Sequence, residues 1–144
     1  MTKGVGANPD SSRGGEPRGE SWTVLRLILW SAEYLQGRGI ESGRLDAEHL
    51  LAHVVGVKRL QLYLDFERPL GPAELDGFRP LLKRRAAREP LQYIVGRQPF
   101  RELNLEVSQD VLIPRPETEI LVGEILSWLN GQERPAATAL DVGT

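Results

Sequence analysis

Nine residues of this chain read as one unit of possible chemistry: Val111-Leu-Ile-Pro-Arg-Pro-Glu-Thr-Glu119. Two prolines bracket Arg115. Each fixes its own φ and disfavours helix at the residue before it, so Ile113 and Arg115 are steered to extended backbone and the guanidinium sits on a stiff loop. A stiff loop costs little entropy to order around a ligand. On this reading Arg115, Glu117 and Thr118 line a substrate or cofactor pocket. The alternative is a rigid strand-to-helix connector whose charges only solvate the helix start, and the residues alone leave the two even.

A second candidate is Ala139-Leu-Asp-Val-Gly-Thr144. An apolar strand that closes on an acidic residue and then glycine is how a nucleotide-type βαβ unit begins, because glycine lets the backbone pass close to a ligand at the strand's C-terminal end. On pattern alone an ordinary turn is favoured, since strand-Gly-Thr occurs wherever a chain reverses. His49 and His53 stand at i, i+4, the spacing of a metal pair on a helix. Position 50 is Leu where a His-Glu-x-x-His site needs Glu, and no third ligand is evident, so ordinary helix histidines and no metal are expected. The basic run Lys83-Arg84-Arg85 with Arg88 lies near a helix C-terminus, where cations offset the dipole. Its sharper reading is a docking patch for an acidic or nucleic-acid partner. Trp22, Trp30 and Trp128 fall at helical positions and read as core or interface rather than stacking platforms.

Helical spacing must position these groups over most of the chain. Residues 1–20 hold only Met1, Val5 and Ala7 as apolar residues and are read as a disordered leader. From a cap at Ser21, Val24, Ile28, Ala32 and Leu35 recur at helical spacing, with Leu25 and Leu29 widening the stripe, until Gly37 and Gly39 stop it. A second helix is expected from about Leu45 to Val55 with Ala47, Leu50, Leu51 and Val54 on one face, ending at Gly56. A short third piece carries Leu60, Tyr63 and Leu64. A fourth opens with Pro72 and runs through Leu75, Phe78, Leu82 and Ala86, with Pro80 kinking it, to a break at Pro90. After Pro90 the period becomes two. Leu103, Leu105 and Val107, then a turn at Ser108-Gln109-Asp110, then Val111-Leu112-Ile113 predict a β-hairpin. Pro116 restarts a helix, with Glu117 and Glu119 in its first turn and Leu121, Ile125 and Leu129 as its buried stripe. It stops at Asn130-Gly131, and a strand is expected at residues 139–142.

Composition narrows the function classes. The 144 residues carry 18 Lys+Arg against 20 Asp+Glu, a net charge of -2, so the overall balance calls for neither nucleic acid nor an anionic membrane. No cysteine is present, which excludes thiolate chemistry and a disulfide framework and suits a reducing cytosol. The apolar stretches are too short and too interrupted for a membrane span or a signal peptide. A soluble, cytoplasmic protein is expected.

Several segments, in order, resemble one family: the glutamine methyltransferases of peptide chain release factors, known as the PrmC or HemK family. Arg44 to Gly56 resembles the second helix of its N-terminal domain. Arg84 to Gly96, followed by Phe100, resembles its interdomain segment. Val111 to Glu119 is similar to its proline-arginine-proline-glutamate signature, and Ala139 to Thr144 to the opening of its S-adenosylmethionine motif. The resemblance implies a mainly α chain. A helical release-factor-recognition domain over 21–89 and a β-hairpin linker over 90–114 would lead to the first helix and strand of a Rossmann-like (α/β) methyltransferase domain over 115–144.

The implied activity is methyl transfer from S-adenosylmethionine to the side-chain amide of the glutamine in a release factor's Gly-Gly-Gln loop, by a monomer. Phe100, Arg115, Pro116, Glu117, Thr118, Asp141, Gly143 and Thr144 are the implied cofactor-side residues. The basic cluster Lys83 to Arg88 is one candidate contact for the release factor. The later glycines of the cofactor turn, the acidic residue that holds the ribose and the Asn-Pro-Pro-Tyr loop that grips the target amide are not among the 144 residues. The expectation is therefore a chain truncated within the cofactor motif, with no catalytic residue of its own, inactive alone. Two alternatives stand beside it. One is a non-catalytic release-factor-binding module. The other is an incomplete gene product whose strand at 139–142 and uncovered helix at 116–130 favour aggregation.

Overall fold

The computed structural model describes residues 21–131, 138 and 140. The expected strand at 139–142 and the expected leader at 1–20 lie outside the described residues. Contacts divide the chain into two compact units, Met1–Leu91 and Gln92–Thr144. The first is helical: α1 (Val24–Gln36), α2 (Gly43–Val55), α3 (Arg59–Leu62) and α4 (Pro72–Ala86), with α5 (Leu91–Val95) following. The second holds strands β1 (Arg97–Phe100) and β2 (Leu103–Glu106) and helix α6 (Pro116–Asn130). No helix among the described residues is long and apolar enough to cross a membrane.

The start of α1 shows how local chemistry and tertiary structure share the work of capping. Thr23, not Ser21, is the cap, and its Oγ1 accepts from the Arg26 amide at 3.3 Å. Two more amides of the first turn, those of Val24 and Leu25, donate to the carbonyls of Arg68 (3.1 Å) and Phe66 (3.0 Å), so a distant loop satisfies donors that a helix start leaves orphaned. The buried face comprises Val24, Leu27, Ile28, Ser31, Ala32 and Leu35. The stripe widens toward Leu27 and Ser31 rather than toward Leu29, which is exposed, because α2 and α4 pack on that side.

Helix α2 is the hub, packing on α1, α3 and α4. It begins at Gly43, where a Cβ would lie 2.8 Å from the Ala32 carbonyl oxygen, so glycine is what lets α2 start against α1. Gly56 ends it in the left-handed region at φ 77°. Ala47, Leu50 and Leu51 of α2 are buried, as are Phe78 and Leu82 of α4, and the two helices pack on each other. Pro72 opens α4, the Glu74 carboxylate accepts from the Gly71 amide at 2.8 Å, and the helix runs on through Pro80. In α3 the buried residue is Leu62, while Leu60 and Leu64 are 72% and 84% exposed. A single helical turn presents one side chain to the core, and here that residue is Leu62.

The hairpin forms with a different partner from the one periodicity suggested. Leu103–Glu106 pairs backward with Arg97–Phe100, and Val111 to Ile113 form no strand. Gly96 (φ 72°) ends the short helix α5, which was not expected, and Arg101 (φ 52°) makes the two-residue reversal between Phe100 and Leu103. Phe100 and Leu103 bracket that reversal, and the Val107 amide donates to the Gly96 carbonyl at 3.0 Å. Alternation of the ladder then places the Pro99–Asn104 pair at a non-hydrogen-bonded position, so the N–H that proline lacks costs the ladder nothing. That proline disguised the strand. The expected turn at 108–110 is present, with the Asp110 amide donating to Ser108 Oγ at 3.2 Å. Helix α6 spans the expected residues, but none of its residues is buried: Leu121 and Ile125 are 59% and 46% exposed. Of its expected buried stripe, Leu121 and Ile125 are exposed and Leu129 is half-buried.

Candidate functional site

The basic run is mostly spoken for within the helical unit. Arg85 Nε donates to Asp46 Oδ2 at 2.8 Å, and Ser42 Oγ donates to the same oxygen at 2.9 Å. Asp46 is buried and Arg85 nearly so, which makes this pair a clasp between α2 and α4. Arg84 is paired with Glu89, which raises its pKa through that hydrogen bond. Arg88, itself at φ 69°, donates from Nη2 to the Arg38 carbonyl at 2.9 Å. The Lys83 carbonyl accepts from the Ala87 amide at 3.0 Å, while its side chain has no hydrogen bond or ion pair among the described residues. Of the four residues, Arg85 and Arg88 reach distant parts of the helical unit, Arg84 pairs locally with Glu89, and the Lys83 side chain alone has no partner among the described residues.

A second buried acid, Glu48 of α2, clasps α3. It accepts from Arg59 Nη1 at 2.9 Å, from the Tyr63 hydroxyl at 2.8 Å and from Arg44 Nε at 3.2 Å. Burial pushes its pKa up, but the hydrogen bonds from Arg59, Tyr63 and Arg44 outweigh burial and hold it below the usual carboxylate value. His49 and His53 lie exposed on α2, and no cluster of three or more His, Cys, Asp or Glu among the described residues is placed to hold a metal. The aromatic residues also sort differently from expectation. Trp22 precedes α1 rather than lying in it, and meets Trp30 edge-on at 5.7 Å. Trp30 stacks on Tyr34 at 5.3 Å, while Trp128 of α6 is 63% exposed.

The proline-bracketed loop lies in the second unit. Arg115 is extended (φ -94°, ψ 148°), as the following proline demands, and its carbonyl accepts from the Thr118 amide at 3.0 Å. Arg115, Pro116, Glu117 and Thr118 are exposed, and the Arg115 and Glu117 side chains take no partner among the described residues. Phe100 is half-buried at the end of β1. What ties Phe100 to this loop is a residue pair that the sequence did not flag. The Arg101 amide donates to Glu119 Oε2 at 3.1 Å, which fixes the hairpin reversal beside the first turn of α6. Gly123 is the counterpart one turn on, since a Cβ there would lie 2.8 Å from Arg101 Nη1. The Tyr93 hydroxyl donates to the Val111 carbonyl at 2.7 Å and anchors the other end of the loop. Asp141, Gly143 and Thr144 lie outside the described residues.

The arrangement gives the second unit a half-buried ring, a cation and a carboxylate on a stiffened loop. Residues 26–96 match the PrmC N-terminal domain. The chain is 42% identical over 125 residues to the release factor glutamine methyltransferase of Rhodopirellula baltica, covering 85% of this chain and 42% of that protein. It is 44% identical over 124 residues to the protein of the same name from Geobacter sulfurreducens, covering 86% and 42%. For the Bifidobacterium longum protein of that name the values are 43% over 126 residues, covering 84% and 43%. The chain thus spans less than half the length of the curated relatives it matches.

Proposed function

The chain belongs to the release factor glutamine methyltransferase family, and on that premise we propose that it forms the recognition part and the threshold of the catalytic part of such an enzyme. The observation that carries this is the identity of 42% over 125 residues. That stretch is longer than the 91 residues of the first unit, so the likeness extends into the second. The proposed reaction is methylation of the glutamine side-chain amide in a Gly-Gly-Gln loop, by a cytoplasmic monomer. The proposed domains are the helical unit over 21–89, the hairpin linker over 90–114 and the methyltransferase start over 115–144.

S-adenosylmethionine, when bound, supplies an electrophilic methyl group. The described residues suit its chemistry: the Phe100 ring for its base, and the unpartnered Arg115 and Glu117 for its carboxylate and ammonium groups. Pro116 and Thr118 complete the loop, with Asp141, Gly143 and Thr144 as further cofactor residues. Arg101, Glu119 and Tyr93 hold that loop in place. An amide nitrogen is a poor nucleophile, so catalysis depends on gripping the planar amide in line with the methyl group. The 144 residues contain no Asn-Pro-Pro-Tyr loop to do this. The proposal for these 144 residues by themselves is no methyltransferase activity, with a non-catalytic release-factor-binding module as the alternative role. Calorimetry of the chain against S-adenosylmethionine is expected to show no micromolar binding, and a release-factor pull-down is expected to retain the factor. Micromolar cofactor binding overturns the first expectation, and loss of the factor in the wash overturns the second.

A further inference from the structure

A groove of about 220 Å³ runs between α1 and α4 on the helical unit. Its floor is Leu27, Phe78 and Leu82, all buried, and its wall is the half-buried run Trp22, Trp30 and Tyr34. Small-molecule pockets hold roughly 300–1,000 Å³, so this one suits one or two apolar side chains better than a cofactor. Its charge is one-sided. Lys83 and Arg79 line it and no acidic residue does, in a chain whose net charge is -2; Arg79 is already paired with Asp76 at 3.0 Å, which leaves Lys83 as the lining cation to be met by a partner. Arg26 and Arg38 add two more cations, lying 5.7 Å from the Trp22 ring and 3.7 Å from the Tyr34 ring.

We propose that this groove docks an acidic, amphipathic segment of a protein partner, with apolar side chains seated on the Leu27–Phe78–Leu82 floor and carboxylates meeting Lys83. The inference deepens the recognition role proposed above and rests on it for the partner's identity. Single-stranded nucleic acid is the poorer fit, although cations and aromatics together suit it in general. Stacking bases need bare ring faces. Here Trp30 and Tyr34 cover each other, Arg38 covers Tyr34, and Arg26 covers Trp22. The chain's own first 20 residues are also a poor occupant, since Met1, Val5 and Ala7 are their only apolar residues.

The test uses the full 144-residue chain and a fluorescein-labelled helical peptide with leucines at i, i+4 spacing flanked by glutamates, read by anisotropy. The acidic peptide is expected to bind at least about tenfold more tightly than its lysine-flanked counterpart. Trp30→Ala is expected to weaken it by about tenfold. Lys83→Glu, at an exposed position that leaves the fold intact, is expected to weaken it by about fivefold and flatten its salt dependence. Equal binding of the two peptides overturns the inference. So does unchanged affinity in both variants, tighter binding of an RNA oligonucleotide, or equal competition by a peptide copying residues 1–20. Release factor retained by the wild type and lost from both variants supports it. Factor retained equally by both variants overturns the groove while leaving the recognition role standing. Factor never retained, with the acidic peptide bound, overturns the recognition role and leaves the groove to another acidic partner.

Discussion

Helices α1 and α6 are of similar length and both carry a helical apolar repeat, yet α1 buries six residues and α6 buries none. The same periodicity therefore has two outcomes. In the helical unit α2 and α4 cover the repeat of α1, and buried acids at 46 and 48 recruit arginines and a tyrosine to pin the helices. In the second unit the first turn of α6 is fastened by Arg101 and Glu119, while its apolar face, including Ile120, Leu121 and Ile125, stays bare. An amphipathic pattern states which face wants cover. It does not state that cover is present.

The largest break in this contrast comes from truncating each face in turn. Phe78→Ala, at a residue 1% exposed, is expected to cost about 3–5 kcal/mol in urea unfolding followed by far-UV circular dichroism. Leu121→Ala on α6 is expected to stay within about 0.5 kcal/mol. Comparable losses at the two sites mean that α6 is covered in solution and end the contrast.

A smaller effect sharpens the division within the basic run. Arg85→Ala leaves the buried Asp46 carboxylate with Ser42 alone and is expected to cost about 3 kcal/mol. Lys83→Ala next to it is expected to cost under about 0.5 kcal/mol. Equal melting points for the two variants refute the assignment of Arg85 as a structural clasp.

The smallest effect concerns acid. The Glu48 carboxyl is held below its usual pKa in the fold, so the stability it contributes is fully present above the unfolded value of about 4.3 and is lost as pH falls through the lower, folded value. Melting temperature is therefore expected to fall as pH drops below about 4.3. Glu48→Gln, costing about 1 kcal/mol at neutral pH, is expected to flatten that limb. An unchanged acid limb in the variant shows that Glu48 is not the group responsible.

Much of this was legible in the chain. The stops at Gly37 and Gly56, the starts at Pro72 and Pro116, and the buried positions Val24, Ile28, Leu50, Leu51, Phe78 and Leu82 follow from local backbone restrictions and from a 3.6-residue period. These are properties of a residue and its near neighbours. The proline-arginine-proline loop was legible for the same reason, since proline acts on its own φ and on the residue before it. Three features lay beyond local reading: the pairing of β2 with a proline-containing strand, the use of Arg85 against an aspartate 39 positions away, and the carbonyls of Phe66 and Arg68 capping α1. Each depends on which distant group arrives to satisfy a ladder, a buried charge or an orphaned amide, and only the tertiary structure decides that.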